Sequence, residues 1–271
     1  EGELSGTLTV EGPLPAEGKS FAGNLKGSFE AKNLKLQNTK NSQSLSLSNF
    51  NGSGEFENNQ VNYKLKGGTF NGTFSSEGRV TLSATTTRPP VLNNRIEFAN
   101  LDLSQLPIAI KPNSGKLSGT LQLSGPLPEP ENLLTGKLKI DTTFKVANLK
   151  MSDPPLEIQA LSGKGVLKNG TLTHDLKGNL FGGKVSTKGS LAFHKNKERT
   201  LITANSNLIL GQVALDWLPL FTQNEWAPTS GTVTGNMSIK GLLPSEGKVS
   251  PTLKLKGTLK GNKLVLGDPQ R

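Results

Sequence analysis

The chain has 271 residues, of which 33% are apolar, 19% charged and 5% aromatic, with 31 glycines. That is long enough for one or two ordinary domains with a real core, and too regularly patterned for a disordered chain. Cysteine is absent, which excludes disulfides, cysteine-type zinc sites and a thiol nucleophile, and a formal net charge of +10 favours anionic partners.

The charge comes from 26 lysines and only 5 arginines. Lysine dominance argues against nucleic acid, because bidentate readout and stacking use Arg and aromatics. The simpler reading is that lysines keep one sheet face wet. No apolar run is long enough to span a bilayer as a helix. Glu1 opens without the basic, apolar and small-residue order of a signal peptide, and it falls inside a strand pattern, as in an excised or mature segment.

In chain order, residues 2–15 read GELSGTLTVEGPLP, with Leu4, Leu8 and Val10 at alternate positions. Asn51-Gly52, Asn71-Gly72 and Asn169-Gly170 each sit between alternating runs and read as hairpin turns. Each is followed by Ser or Thr and so also matches a glycosylation acceptor, as does Asn236-Met237-Ser238, but turn chemistry accounts for Asn-Gly by itself. The prolines at 88–90 and 154–155 belong in loops or at edges, since proline cannot donate to a ladder.

Leu101–Leu106 and Val213–Phe221 are the two candidate helical turns, broken by Pro107 and Pro219. Trp217, Phe221 and Trp226 cluster at the second, either as a plug at a sheet edge or as a membrane or partner contact. At 115–128, GKLSGTLQLSGPLP places Leu117, Leu121 and Leu123 on one face with Gly119. Leu138, Ile140, Phe144 and Val146 lie opposite Lys137, Lys139 and Lys145, with a bulge expected near Asp141–Thr143. Leu253 and Leu255 oppose Lys254 and Lys256. Period-two alternation predicts half-buried antiparallel strands, about twenty of them, with one dry and one wet face.

The pattern repeats. Residues 2–15 reappear at 115–128 and, more loosely, at 231–244; Gly119 lies 113 residues after Gly6, and Gly235 lies 116 after Gly119. Asn33–Leu36 matches Asn148–Met151, Phe50–Gly54 matches Leu161–Gly165, Gly67–Phe70 matches Gly182–Val185, and Leu103–Pro107 matches Leu215–Pro219. The whole chain therefore reads as a piece of one continuous array, with units at about 2–114, 115–230 and a partial 231–271.

Catalytic chemistry finds little support. His174 and His194 are the only histidines, and no HxxxH, HExxH or carboxylate cluster marks a metal site. His174 and Asp175 are neighbours that should point to opposite strand faces. The serines read as turn and outer-face residues, and no GxSxG elbow occurs. Gly178–Lys184 fits GxxxxGK, but Val185 follows where a phosphate loop needs Ser or Thr, and a strand pattern follows where it needs a helix. The expectation is a non-enzyme without cofactor or metal.

Three elements carry a resemblance to a known family: the GxLxGxLxLxGPLP strand and turn at 115–128, the IxxLxGKGxLKNGxL hairpin at 158–172, and the LFGGKVxxxGxLxF hairpin at 180–193. They recur at 2–15, 47–61 and 65–82. In these the chain resembles the AsmA-like superfamily of Gram-negative bacteria, which includes the AsmA, TamB and YhdP proteins. The resemblance implies an elongated, curled antiparallel sheet (a repeating β-groove, or β-taco) with very little helix, an apolar inner trough and a polar outer face. It implies a periplasmic groove tethered to the inner membrane by a segment outside these residues. It further implies phospholipid transport between inner and outer membranes, or outer-membrane maintenance, with outer-membrane or periplasmic protein partners. The lipid-facing positions would be Leu4, Leu8, Val10, Leu117, Leu121, Leu123, Leu138, Ile140, Phe144, Val146, Leu253 and Leu255.

Read without the family, the residues leave two solutions. Two curled halves can cover each other in a closed sandwich, or lipid tails can cover an open trough. The corresponding functions are a lipid conduit and a closed structural or interaction module, adhesin-like or an assembly scaffold. A third is a lysine-rich surface for acidic glycan or anionic membrane.

Overall fold

The computed structural model describes residues 2–13, 23–37, 44–83, 88–106, 112–129, 132–152, 155–196, 199–215, 228–243 and 252–266. The first third contains β1 (Glu3–Glu11), β2 (Asn24–Lys32), β3 (Leu34–Gln37), β4 (Ser44–Glu57), β5 (Gln60–Thr69), β6 (Gly72–Thr81) and β7 (Val91–Asp102). A 3-10 turn at Leu103–Gln105 follows. The middle contains β8 (Ser114–Pro126), β9 (Lys139–Ser152), β10 (Pro155–Lys168), β11 (Thr171–Leu180) and β12 (Gly183–Asn196). The last part contains β13 (Arg199–Ala214), β14 (Pro228–Leu242) and β15 (Lys254–Leu266). Among the described residues there is no α-helix.

All fifteen strands belong to one antiparallel sheet in which chain neighbours pair in order from β1 to β15. Only β3 lies off that path, paired with the far end of β4. It continues β2 beyond a kink at Asn33, whose φ is 53°. The corresponding Asn148, at φ 52°, sits inside the unbroken β9. The sheet is therefore a meander of fourteen rungs, about 62 Å along its curve at ~4.8 Å per strand. β1 and β15 pair on one side only, so the sheet is open rather than closed into a barrel.

Among the described residues there are fifteen strands where alternation predicts about twenty, because the strands are long and absorb irregularities that resemble turns. Asn51-Gly52 lies inside β4, paired with Glu30 and Phe29, and is not a hairpin turn. No bulge occurs at Asp141–Thr143, since pairing runs without a break from Ile140 to Lys145. Register shifts fall instead at Ser48/Asn51, Phe98/Leu101, Ser114/Lys116, Ile158/Ala160 and Leu210/Val213, with two more in the β14–β15 pairing. Asn49, Asn100 and Gln212 take positive φ at three of them, and Asn tolerates that region better than most residues.

Four tight turns join the hairpins β4–β5, β5–β6, β10–β11 and β11–β12. Their central pairs are Asn58-Asn59, Phe70-Asn71, Asn169-Gly170 and Phe181-Gly182, all with positive φ. This is the two-residue geometry whose twist matches that of the flanking strands. Phe70 and Phe181 are structural equivalents, which places Gly67-Gly68 inside β5 and corrects their matching to Gly182-Gly183. The GxxxxGK stretch is a hairpin corner, as its strand pattern predicts. Pro89 and Pro90 precede β7, and Pro155 opens β10. Of the two predicted helical turns, the first is the 3-10 turn, while Val213 and Ala214 belong to β13. Residues 216–227, with Trp217, Phe221 and Trp226, lie outside the described residues, as does Pro154.

Repeat-equivalent residues do not share one transverse row. Following the pairs from Gly6 across six strands leads to Leu121, two residues beyond Gly119. The same walk from Gly119 leads to Met237, two residues beyond Gly235. Each six-strand unit is thus displaced along the strands by about 7 Å for every ~29 Å travelled across them. The array is a shallow screw rather than a flat ladder.

Candidate functional site

Because paired residues of an antiparallel ladder share a face, the register assigns every side chain to one side. One face carries Leu8, Phe29, Phe56, Leu65, Val80, Ile96, Leu121, Phe144, Leu161, Leu176, Val185, Leu208 and Met237. From β10 to β13 its one charged residue among the described residues is Lys195, near the end of β12, which pairs with Thr200 and donates to Asn132 Oδ1 at 3.3 Å. Of the twelve positions expected to line the interior, the register puts Leu4, Leu8, Val10, Leu117, Leu121, Leu123, Ile140, Phe144, Val146 and Leu255 on this face, while Leu138 and Leu253 stand just before β9 and β15, outside the ladder. In the β8–β9 pairing Leu117 opposes Val146 and Leu123 opposes Ile140, while Leu121 opposes Thr142 and Phe144 opposes Gly119. Burial differs sharply along the array. Leu138 is 3% exposed and Val146 9%, whereas Leu4 is 72% and Leu255 60% exposed on the two edge strands.

The opposite face is polar. Lys116, Lys137 and Lys145 are exposed there, and Lys139 is half-buried and paired with Asp141 at 2.8 Å. Lys26–Glu55, Lys64–Glu77 and Lys150–Glu157 are directly opposed ladder residues joined at 2.8, 3.0 and 3.4 Å. Exposed pairs of this kind add little stability, but they favour the correct register.

Hollows open on both faces, as strong sheet twist produces. On the apolar face one of about 360 Å³ is lined by Leu8, Leu25, Phe29, Phe56, Val61 and Leu65. Larger ones, of about 860 and 930 Å³, lie mainly among polar-face side chains. The trough expectation puts the main hollow on the apolar side. Large side chains reduce it there by lying over neighbouring glycines. A Cβ on Gly52 would meet the Phe29 ring at 2.7 Å, and one on Gly119 would meet the Phe98 ring at 3.1 Å. The polar hollow between β6 and β11 mixes Lys145, Lys164 and Lys177 with Glu97 and Asp175. It lacks the single-sign field that a polyanion site needs.

The apolar face is interrupted by two polar groups. Tyr63, Gly78 and Asn94 are successive ladder partners, with Ser76 one position away on β6. His174, Gly189 and Ser206 are successive partners in the next unit, with Thr187 in the same relation on β12. Tyr63 corresponds to His174, Ser76 to Thr187, and Asn94 to Ser206. The glycine in each provides room for the polar atoms to cross above it. A Cβ on Gly78 would lie 2.7 Å from Asn94 Oδ1 and 2.9 Å from Tyr63 Oη, and one on Gly189 would press on Ser206 Oγ.

The two groups differ in how well they satisfy themselves. In the first, Ser76 Oγ donates to Asn94 Oδ1 at 3.0 Å, and Tyr63 hydrogen-bonds to Ser76. Burial pushes the Tyr63 phenol above its ordinary pKa, partly offset by that hydrogen bond. In the second, His174 Nε2 lies 3.2 Å from Thr187 Oγ1. His174 Nδ1 and Ser206 Oγ are buried with no hydrogen-bond partner. An unsatisfied buried polar atom costs about 1–3 kcal/mol.

Alternation alone does not single out these residues. It does separate His174 from Asp175, which stands on the polar face 3.9 Å from Lys188 Nζ. The serines are not confined to turns and the polar face, since Ser76 and Ser206 are each 8% exposed on the apolar side. The available signal is a polar residue at apolar parity, recurring after 111 residues for Tyr63 and Ser76 and 112 for Asn94. Among the described residues, no group of three His, Asp or Glu gathers to hold a metal. No described helix is long and apolar enough to cross a membrane.

Compared with family models, curated proteins and solved structures, the chain matches none. The functional reading therefore rests on the geometry and on the motif resemblance.

Proposed function

We propose that this chain is a non-enzymatic lipid-binding segment whose apolar face carries the acyl chains of phospholipids, with the head groups held towards water. The observation that carries the reading is the continuity of the apolar face. It runs from β1 to β15 across fourteen rungs, and no second layer of secondary structure covers it among the described residues. An uncovered apolar surface of that extent is an aggregation liability unless something occupies it. Burial of hydrocarbon is non-directional, so a chain seated on one unit gains about as much as on the next. Sliding along the array then needs no chemistry from the protein.

The resemblance to AsmA-like proteins supports a periplasmic setting, an inner-membrane tether outside these residues, and movement of phospholipid between the two membranes. Organic extraction and mass spectrometry of the purified chain test the reading. Phospholipid recovered with the folded protein is the expected result. A lipid-free, cooperatively folding monomer that takes up none from vesicles would instead identify a structural or interaction module.

A further inference from the structure

The His174–Thr187–Ser206 group is an incomplete version of the Tyr63–Ser76–Asn94 group. In the first unit, hydrogen bonds run from side chain to side chain across Gly78. In the second, the shorter Ser206 replaces Asn94 and an imidazole replaces the phenol. Two buried polar atoms, His174 Nδ1 and Ser206 Oγ, are left unpartnered near Gly189. Assigning the imidazole proton to Nδ1 makes Nε2 the acceptor of the Thr187 hydroxyl, 3.2 Å away. Nδ1–H and the Ser206 hydroxyl are then two donors on one apolar surface, and both call for an acceptor oxygen.

We infer that this group is a binding station for the ester carbonyl of a diacyl lipid, a proposal that rests on the lipid reading above. A carbonyl oxygen has two lone pairs and can accept from both donors. It lies beside the hydrocarbon of the same molecule, so its acyl chain would continue over Leu172, Leu176 and Leu191 on the flanking rows. A phosphate oxygen fits less well. The one cation at apolar parity in β10 to β13 among the described residues, Lys195, stands six residues along β12 from Gly189, about 20 Å away, and donates to Asn132; a desolvated anion needs a cation beside it. The first group, satisfied internally, lets hydrocarbon pass without holding a carbonyl. The array then has a resting position at one unit and a slide at the other, about 29 Å apart at ~4.8 Å per strand.

The test exchanges the full chain against vesicles of a diacyl phosphatidylcholine or of its dialkyl ether analogue, which lacks the carbonyls. Lipid retained per chain is measured by mass spectrometry. The wild-type protein should retain the diacyl form roughly tenfold better, the worth of two neutral hydrogen bonds. Ser206→Ala, which leaves the His174 donor in place, should lower the ratio to roughly threefold, half of the free-energy difference. Infrared spectra with carbonyl-labelled lipid give a second reading, a band moved to lower frequency in wild type and moved part of the way back in Ser206→Ala. The wild-type ratio and band decide the matter even if the variant fails to fold. Equal retention of both lipids with an unshifted band overturns the station and leaves the lipid reading intact. Retention of neither lipid overturns both.

Discussion

Tyr63 is the only tyrosine in the chain, which makes its environment directly measurable. Burial on the apolar face raises its pKa, so its neutral phenol is favoured in the folded state. The stability this contributes is present below the ordinary tyrosine value of about 10 and is lost as pH rises through the higher folded value. Ultraviolet absorbance of the phenolate should therefore show a midpoint above 10 in the folded protein and an ordinary one in denaturant; equal midpoints would contradict its burial. Asp102 shows the opposite sign. Its Oδ1 accepts from Ser104 Oγ at 2.7 Å and Ser104 N at 3.1 Å, and Lys116 Nζ lies 3.3 Å from Oδ2. Those hydrogen bonds, the Ser104 hydroxyl foremost, hold its carboxyl below the usual range. The resulting stability is present above the unfolded pKa and is lost as pH falls through the folded one. Asp102→Asn should lower the melting temperature at neutral pH, and the difference from wild type should shrink at acid pH. A constant difference across that range would place the effect elsewhere.

Among elements, the hairpins and their glycines carry the most specific demands. Gly189→Val puts a branched side chain against Asn205 O, the Ser206 backbone and Ser206 Oγ. It should cost about 1–3 kcal/mol in denaturant unfolding. Gly182→Asn, at a position where an added Cβ meets nothing within 4 Å and asparagine tolerates the φ of 69°, should cost less. Equal costs would mean that crowding at Gly189 has no consequence. These elements also show what the sequence conveys about the fold. Period-two alternation puts Leu117, Leu121, Ile140 and Val146 on one face without reference to partners, because the pleat alone decides it. Turn chemistry is less reliable. Asn51-Gly52 has hairpin composition, yet Gly52 is required inside β4 because the Phe29 ring lies over it. Phe70-Asn71 and Phe181-Gly182 are turns without a conventional first residue. The two polar groups draw residues from three strands each, and a Ser or Asn at one apolar-parity position looks like ordinary variation until the register joins it to its partners.

At the scale of the molecule, the protein is one staggered sheet whose dry face has no second layer over it among the described residues. Cooperative unfolding should spread across units joined by continuous pairing. Limited proteolysis should not release a stable half near residue 110, and a protected half would show that β7 and β8 divide two independent bodies. The central claim is that the apolar face between β8 and β10 is a path for acyl chains. Ile140 pairs with Leu123 on one side and Leu167 on the other, at the middle of that path. Ile140→Asp places a carboxylate there, which costs several kcal/mol to desolvate under a passing chain. On an uncovered face the change should be tolerated better than in a closed core. The deciding measurement is phospholipid transfer between donor and acceptor vesicles by Ile140→Asp beside wild type, with thermal unfolding of both. Transfer lost with the fold retained is the predicted result; transfer unchanged, or a variant that cannot fold because Ile140 lies in a closed core, would contradict it.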